Sequence, residues 1–354
     1  MHPAFRSVKS ALAFCALLVF LLTLPLLLSL IGPPSREQNF ISVSNRVGPI
    51  ALVAKDIYQD RADADIVFVG ASKMIYGVQI DSIAKALSEH LGRPARVVNL
   101  AMNWPGEDLH CYVLQDYLDH HHTKLVIWNP PQPHVYNDLP HIASYRWVTF
   151  GQYESDLAGL PLRYRILLYG EMILGAPRQL LAKIRPNHIG ADELDPRYFF
   201  KFNNLDADRK VGYDKDPFVP DSLPKSTPDT HFLIPVTSPA LALARPYPGP
   251  YQLHFIRKIA DIAQKHGAGF VLLYLPGTFE YGAGKIPELA SWSKVIGPQY
   301  EMIGEPANVT FSGMSRERFL HFYSDTAHFN INGRVSFTNE IIPSILKAYD
   351  QVSK

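Results

Sequence analysis

An α/β fold built around a mainly parallel sheet is what this sequence predicts, on three observations. Short apolar, β-branched runs recur along the chain, as in Asp65-Ile-Val-Phe-Val69 and Thr123-Lys-Leu-Val-Ile-Trp128, and read as strands covered on both faces. These runs alternate with longer segments whose apolar positions repeat at helical spacing, the pattern of strand-helix-strand crossovers. Polar residues capable of chemistry gather where the runs end: Ser72, then Asn103 and Gly106, then Asn129, then Asp325 with His328. That is the carboxyl edge, where parallel α/β sheets keep their sites.

Each element follows from local pattern. His2, Arg6 and Lys9 precede Ala11 to Ile31, an uncharged, Leu-rich run of 21 residues, which at about 1.5 Å per helical residue spans the roughly 30 Å hydrocarbon core of a bilayer. The run ends in Ile31-Gly-Pro-Pro-Ser without a small-x-small cleavage site, so residues 1–34 read as a cytoplasmic stub and an uncleaved signal anchor, with a cleaved signal peptide as the alternative. Arg6 and Lys9 place the N-terminus in the cytoplasm and the remainder of a single-pass protein in the periplasm or outside the cell, although Arg36 weakens the asymmetry. Residues 35–61 read as a tether with a helix at Ile50 to Tyr58. The folded domain covers 62–354, with an insertion at about 130–250.

Within that domain the first strand ends at Gly70-Ala-Ser72, and Asp81 is the expected N-cap of a helix over Ile83 to Leu91. Ala95 to Ala101 is the second strand, followed by an amphipathic helix from Glu107 to His120 with Leu109, Tyr112, Val113, Tyr117 and Leu118 on one side. The third strand, Thr123 to Trp128, runs into Asn129-Pro-Pro-Gln-Pro133, whose prolines forbid further ladder pairing. Helix Tyr251 to His266 leads to a fourth strand, Gly267 to Leu275. Phe319 to Tyr323 is the expected fifth, and a last helix runs from Gly333 to about Tyr349, with Pro343 inside it.

The insertion carries two kinds of sequence. Leu160 to Arg185 is rich in Leu and Ile, bears Arg163, Arg165, Arg178, Lys183 and Arg185, and is interrupted at Gly175-Ala-Pro177. It reads as a helix pair packed on the sheet with a solvated basic side, or alternatively as a basic amphipathic segment on anionic lipid or a membrane partner. Asn187 to Pro250 is dense in Pro, Asp, Asn and aromatic residues, including Arg197-Tyr-Phe-Phe200, and reads as a long excursion or lid near the active edge, whose aromatics stack on sugars or pin the loop to the body.

Composition removes other classes. The formal charge is +1 with no long block of like charges, so nothing marks a nucleic-acid groove. Of the two cysteines, Cys15 lies in the apolar run and Cys111 reads as a small buried residue, which leaves no intrachain disulfide framework. His120-His-His122 reads as a solvated helix end favoured by the dipole rather than a metal site, because neighbouring side chains on a helix diverge. His134, His141 and His321 read as structural or solvated. No dinucleotide or P-loop signature is present. No metal and no cofactor is expected.

Two stretches carry chemistry. Strand, tight turn and helix is how α/β enzymes display a nucleophile, which makes Ser72 a candidate, against the plainer reading of a turn serine. Asp325 stands three residues before His328, a spacing at which the carboxylate can accept the Nδ1 proton, fix the tautomer and leave Nε2 to take a proton from a serine. The plainer reading there is a turn-capping Asp and a surface His.

Taken together, Gly70-Ala-Ser72, Asn99-Leu-Ala-Met-Asn-Trp-Pro-Gly106 and Asp325-Thr-Ala-His328-Phe-Asn-Ile-Asn-Gly333 resemble, in order and spacing, the blocks of the SGNH (GDSL-type) hydrolase superfamily. The resemblance covers about Asp65 to Trp128 and Gly267 to Tyr349. It implies a flavodoxin-like, three-layer core and a serine esterase or acyltransferase, with Ser72 as nucleophile, His328 as base and Asp325 as its orienting acid. It implies oxyanion donors at the Ser72 and Gly106 backbone N–H groups and at a side-chain amide after the third strand. Asn129 is the nearest match and Asn103 its rival, since the family's Gly-x-Asn-Asp block stands here as Trp128-Asn-Pro-Pro, and its Gly-Asp-Ser as Gly-Ala-Ser.

With the anchor, the chain resembles the membrane-tethered members that add or remove O-acyl groups on envelope polymers, such as the D-alanyl transfer protein of teichoic acid synthesis and the alginate acetylation proteins. The resemblance implies an acyl-ester or glycan substrate and a multi-spanning membrane acyltransferase as partner. A non-catalytic scaffold or polymer-binding module of the same fold is the alternative function.

Overall fold

The computed structural model describes residues 7–32, 34–43, 53–102, 106–130, 139–141, 144, 159–184, 204–205, 211–212, 249–278, 300–304, 310–311, 313–325 and 327–352. Asn103, His134, Arg185, the Arg197-Tyr-Phe-Phe200 run and most of the segment 187–250 lie outside them. The chain divides into two compact units, residues 1–44 with 140–189 and residues 45–139 with 190–354.

The larger unit is α/β. Its sheet contains β1 (Ala64–Val69), β2 (Val97–Asn99), β3 (Thr123–Trp128), β4 (Gly269–Leu273) and β5 (Met302–Ile303), in the order β2-β1-β3-β4-β5. All its neighbouring pairs are parallel. Ile66 pairs with both Val97 and Leu125, and Leu125 with Gly269. A separate two-residue antiparallel ladder joins Asn204–Leu205 to Val211–Gly212.

Alternation along the strands decides which helices cover which face, because successive side chains point to opposite sides. Ile66, Phe68, Leu125, Ile127, Val271 and Leu273 form one core with Ile83 and Leu87 and with Phe337, Ile341 and Ile345. The last two groups belong to α4 (Ile80–Leu91) and α9 (Ile331–Val352). Burying such side chains contributes roughly 1.5–3 kcal/mol each before entropy is counted. On the other face, Trp128 stacks on Phe270 and its indole N–H reaches Glu107. Glu107 opens α5 (Glu107–His120), which packs against α7 (Pro250–Lys265) through Tyr112 and Phe255. α5 is enclosed on nearly every side, and Cys111 is buried in it.

Four expectations need correction. Phe319 to Tyr323 is not a strand. Ser315 accepts from the Arg318 N–H and caps a short helix, α8 (Arg316–Leu320), and Phe319 and Leu320 reach the core from it. The edge position belongs to Met302–Ile303, a pair too short to show a strand period. Asp81 is not an N-cap, since α4 begins at Ile80 behind Gln79, which leaves Asp81 as a favourable charge in the first turn. His121 is not solvated. It is buried, stacked on Tyr117, and its Nε2 donates to the Ile57 carbonyl at 2.8 Å.

The smaller unit holds α1 (Val8–Leu30), α2 (Arg36–Val43) and α6 (Leu162–Ile184). α1 is long and apolar enough to cross a membrane or serve as a signal anchor, and Ser7 and Ser10 close a capping box at its start. The fourth correction concerns α6. It is one continuous helix through Gly175-Ala-Pro177, not a helix pair, and it lies against α1. Ala176 is fully buried with Leu24 and Leu28, which holds the chain helical at that point.

Candidate active site

The turn after β1 is shaped by a close approach. A Cβ on Gly70 would stand 3.0 Å from the Asn129 Cβ and 3.2 Å from the Met74 Cβ, so any larger residue here would press the ends of β1 and β3 apart by a few tenths of an ångström. The Met102 N–H donates to the Gly70 carbonyl and the Asn129 N–H to the Val69 carbonyl. These two bonds bring the loops after β2 and β3 to the Ser72 turn. The strand order also reverses between β1 and β3, where diverging connections open a crevice at the carboxyl edge. Ser72 is the first residue of α3 (Ser72–Gly77), behind an extended Ala71.

His328 arrives from the far end of the sequence on a turn wired to itself. The Ser324 N–H donates to the His328 carbonyl, the Asn330 N–H to the Phe322 carbonyl, and the Tyr323 hydroxyl to the Pro276 carbonyl. Asn330 then starts α9, its side-chain oxygen accepting the Gly333 N–H at 3.0 Å, an N-cap bond. Gly333 permits the closure, because a Cβ there would lie 2.1 Å from the Phe322 carbonyl oxygen.

Three side chains meet as a result. The Ser72 Oγ stands 2.8 Å from His328 Nε2, across 256 residues of sequence. His328 Nδ1 is 2.7 Å from Asp325 Oδ2. The other oxygen, Asp325 Oδ1, accepts the backbone N–H groups of Ala327 and His328, both at 2.7 Å. Burial pushes the Asp325 carboxyl up, but the hydrogen bond and positive charge of His328 and the two backbone donors outweigh it and hold the group below its usual value. An ionised Asp325 requires a proton on Nδ1, which leaves the Nε2 lone pair to accept the Ser72 O–H. Tyr76, buried on α3, sets its ring edge to the imidazole at 5.1 Å between centroids.

The remaining predicted residues divide. Gly106 is the N-cap of α5. Among the described residues neither its N–H nor the Ser72 N–H, in the first turn of α3, has a hydrogen-bond partner, as is usual for the first N–H groups of a helix. Asn129 is buried and commits one amide N–H to the Leu273 carbonyl at 3.0 Å. Its second N–H has no partner among the described residues. Asn103 lies outside them.

Sequence reasoning missed three supports. Tyr76 braces the imidazole. Lys73, beside Ser72, is buried and donates to the Leu275 carbonyl. Glu107 ties the Gly106 loop to β3, its carboxylate accepting from Trp128 Nε1 at 3.2 Å and lying 3.0 Å from His110 Nδ1, while its N–H donates to Gln252. Burial of Glu107 directly after Gly106 has no period or motif to reveal it. Among the described residues no three His, Cys, Asp or Glu side chains converge as metal ligands do.

No family model matches the chain. No curated protein shows significant similarity to it either.

Proposed function

We propose that this chain is a membrane-anchored, extracytoplasmic serine esterase or O-acyltransferase of the SGNH type, acting on an envelope glycan or another acyl ester. The observation that carries the proposal is the continuous relay from Ser72 Oγ through His328 to Asp325, at 2.8 and 2.7 Å. The all-parallel sheet in the order 2-1-3-4-5 supports the flavodoxin-like core, and the site lies at its carboxyl edge. α1, with Arg6 and Lys9 ahead of or within its first turn, supports the anchor and its orientation.

In this reading the Ser72 proton passes to His328 Nε2 as Oγ attacks the ester or thioester carbonyl. The oxyanion is received by the Ser72 and Gly106 N–H groups and by the second Asn129 amide proton. His328 returns the proton to the leaving alcohol or thiol, and an acyl-Ser72 ester remains. Water then gives hydrolysis, and a sugar hydroxyl gives transfer. His328 takes the acceptor's proton in either case. Handover of the acyl group by a multi-spanning acyltransferase belongs to the transfer branch.

The test is the intact mass of the protein after exposure to a fluorophosphonate, beside Ser72→Ala and His328→Ala. A single adduct on Ser72, absent from both variants, is the expected result. A folded native protein that stays unlabelled by both a small and a bulky probe overturns the enzyme reading in favour of a scaffold of the same fold.

A further inference from the structure

α6 presents a surface that the catalytic reading does not use. Leu162, Ile166, Leu174, Leu181 and Ile184 are 62–70% exposed. At about 100° per residue they fall on a single arc of roughly 120°. An apolar arc of this extent on a water-facing helix calls for a cover.

The neighbouring helix indicates what the cover is. Met172, Ala176 and Leu180 of α6 pack on Leu24 and Leu28 of α1, and apart from Pro25 no other residue of α1 is buried. Most large apolar side chains of α1 are open, among them Leu12, Leu17, Val19 and Leu26. The polar groups that α6 turns toward α1 are satisfied by the backbone of α1. The Tyr169 hydroxyl donates to the Leu22 carbonyl at 2.8 Å, and Lys183 Nζ donates to the carbonyls of Ile31 and Gly32.

Lys183 thus caps the carboxyl end of the apolar helix, where carbonyls have no helical partner. Tyr169 beside Leu22 and Lys183 beside Ile31 also mean that the two helices run in the same direction, and that the stretch from Tyr169 to Lys183 accompanies α1 from Leu22 to its carboxyl end. From Ile166 to Ile184 the arc itself carries no charge, with Glu171 and Arg178 beside it by helical position; Arg163, which shares the angular position of Leu181, stands in the first turn and is hydrogen-bonded to the Tyr164 hydroxyl.

We infer that α6 is a second membrane-embedded element, running beside α1 with Leu174, Leu181 and Ile184 against the hydrocarbon of the outer leaflet. The inference rests on α1 being a retained membrane anchor. A helix sharing its flank with such an anchor shares its solvent, and lipid is the medium in which exposed leucines on both helices are at no disadvantage. The pair then holds the chain by a broader contact than one span, with Lys183 at the interface, where long basic side chains reach water.

The test uses the full-length chain with Cys15→Ser, its uncleaved state checked by intact mass, reconstituted into phosphatidylethanolamine and phosphatidylglycerol vesicles. An environment-sensitive fluorophore is attached in turn at Leu174→Cys, Leu181→Cys, Leu17→Cys on α1 and Lys85→Cys on the exposed side of α4. The expected result is a blue-shifted emission at Leu174 and Leu181, quenched by nitroxide-labelled lipid and protected from iodide, as at Leu17 and unlike Lys85.

If Leu17 is protected while Leu174 and Leu181 are quenched by iodide as Lys85 is, the inference is overturned and the α6 face belongs to a protein partner or to water. If Leu17 is itself open to iodide, the anchor reading fails and the inference falls with it. The α1 label therefore separates the two failures.

Discussion

Asp325→Asn isolates the tautomer from the shape of the site. The substitution keeps every heavy atom in place, yet the two positions of the side chain make opposite demands. Oδ1 accepts two backbone N–H groups at 2.7 Å, and Oδ2 faces His328 Nδ1. The amide oxygen of an asparagine therefore belongs on the backbone side, which points its NH2 at Nδ1. Nδ1 must then be an acceptor, so the imidazole proton moves to Nε2 and the Ser72 hydroxyl loses its base.

Flipping the amide restores the tautomer but forfeits both turn bonds at about 1 kcal/mol each, leaving the useful form at a few per cent. Loss of the carboxylate charge beside the forming imidazolium removes about 1.5–3 kcal/mol more. Together these predict a fall of about 10³ in the rate. The assay is the rate of fluorophosphonate labelling at Ser72, with circular dichroism and melting as controls on the fold. Labelling within about tenfold of the native rate, in a folded variant, would refute an orienting role for Asp325.

Asn129→Ala should lower that same rate by about 10²–10³ if its second N–H serves the oxyanion, whereas an effect confined to the melting temperature assigns the residue to the Leu273 carbonyl alone. Gly333→Ala should cost about 2–3 kcal/mol in urea unfolding, because its Cβ would collide with the Phe322 backbone oxygen rather than with a movable side chain; a native-like midpoint would show that the turn can shift. Asp65 joins β1 to the Arg96 N–H, the Arg93 guanidinium and the Tyr349 hydroxyl. Burial raises its pKa, and those partners more than reverse the effect and lower it. A carboxyl lowered in the folded state stabilises above its unfolded value of about 3.9 and loses that contribution as pH falls through the folded value. Asp65→Asn should therefore lose about 1.5–3 kcal/mol near neutrality, and the gap to the native protein should close only in acid below that point; a gap independent of pH down to that range would refute the linkage. The Tyr349 phenol, pushed up to about 12 by burial and by Asp65, should titrate lower in the same variant.

Much of the α/β core was legible because its elements bury whole faces. The continuous apolar runs of β1 and β3 suit strands covered on both faces and the helical repeat of α4 and α9 suits helices with one buried face, and they read true to within a few residues. Met302–Ile303 was not legible, since two residues carry no period. Phe319 to Leu320 misled because an apolar pair fits a strand as well as a capped turn of helix, and the cap, Ser315, lies outside the run. Gly175-Ala-Pro177 read as a break because proline opposes helix locally, and packing of Ala176 on Leu24 and Leu28 overrides it.

By itself the sequence determined the composition of the site: a serine after a buried strand, an aspartate three residues before a histidine, and an apolar run long enough to cross a bilayer. Those features are local, and local patterns survive in one dimension. Tertiary structure decided whether the pieces meet, because Ser72 and His328 are 256 positions apart and come within 2.8 Å only once the parallel sheet brings the ends of β1 and β3 together and the Gly333 turn closes against Phe322. It also decided that α6 keeps company with α1, since helix pairing depends on which faces come into contact and the residues in that contact, Leu24, Leu28 and Ala176, look no different in sequence from their exposed neighbours.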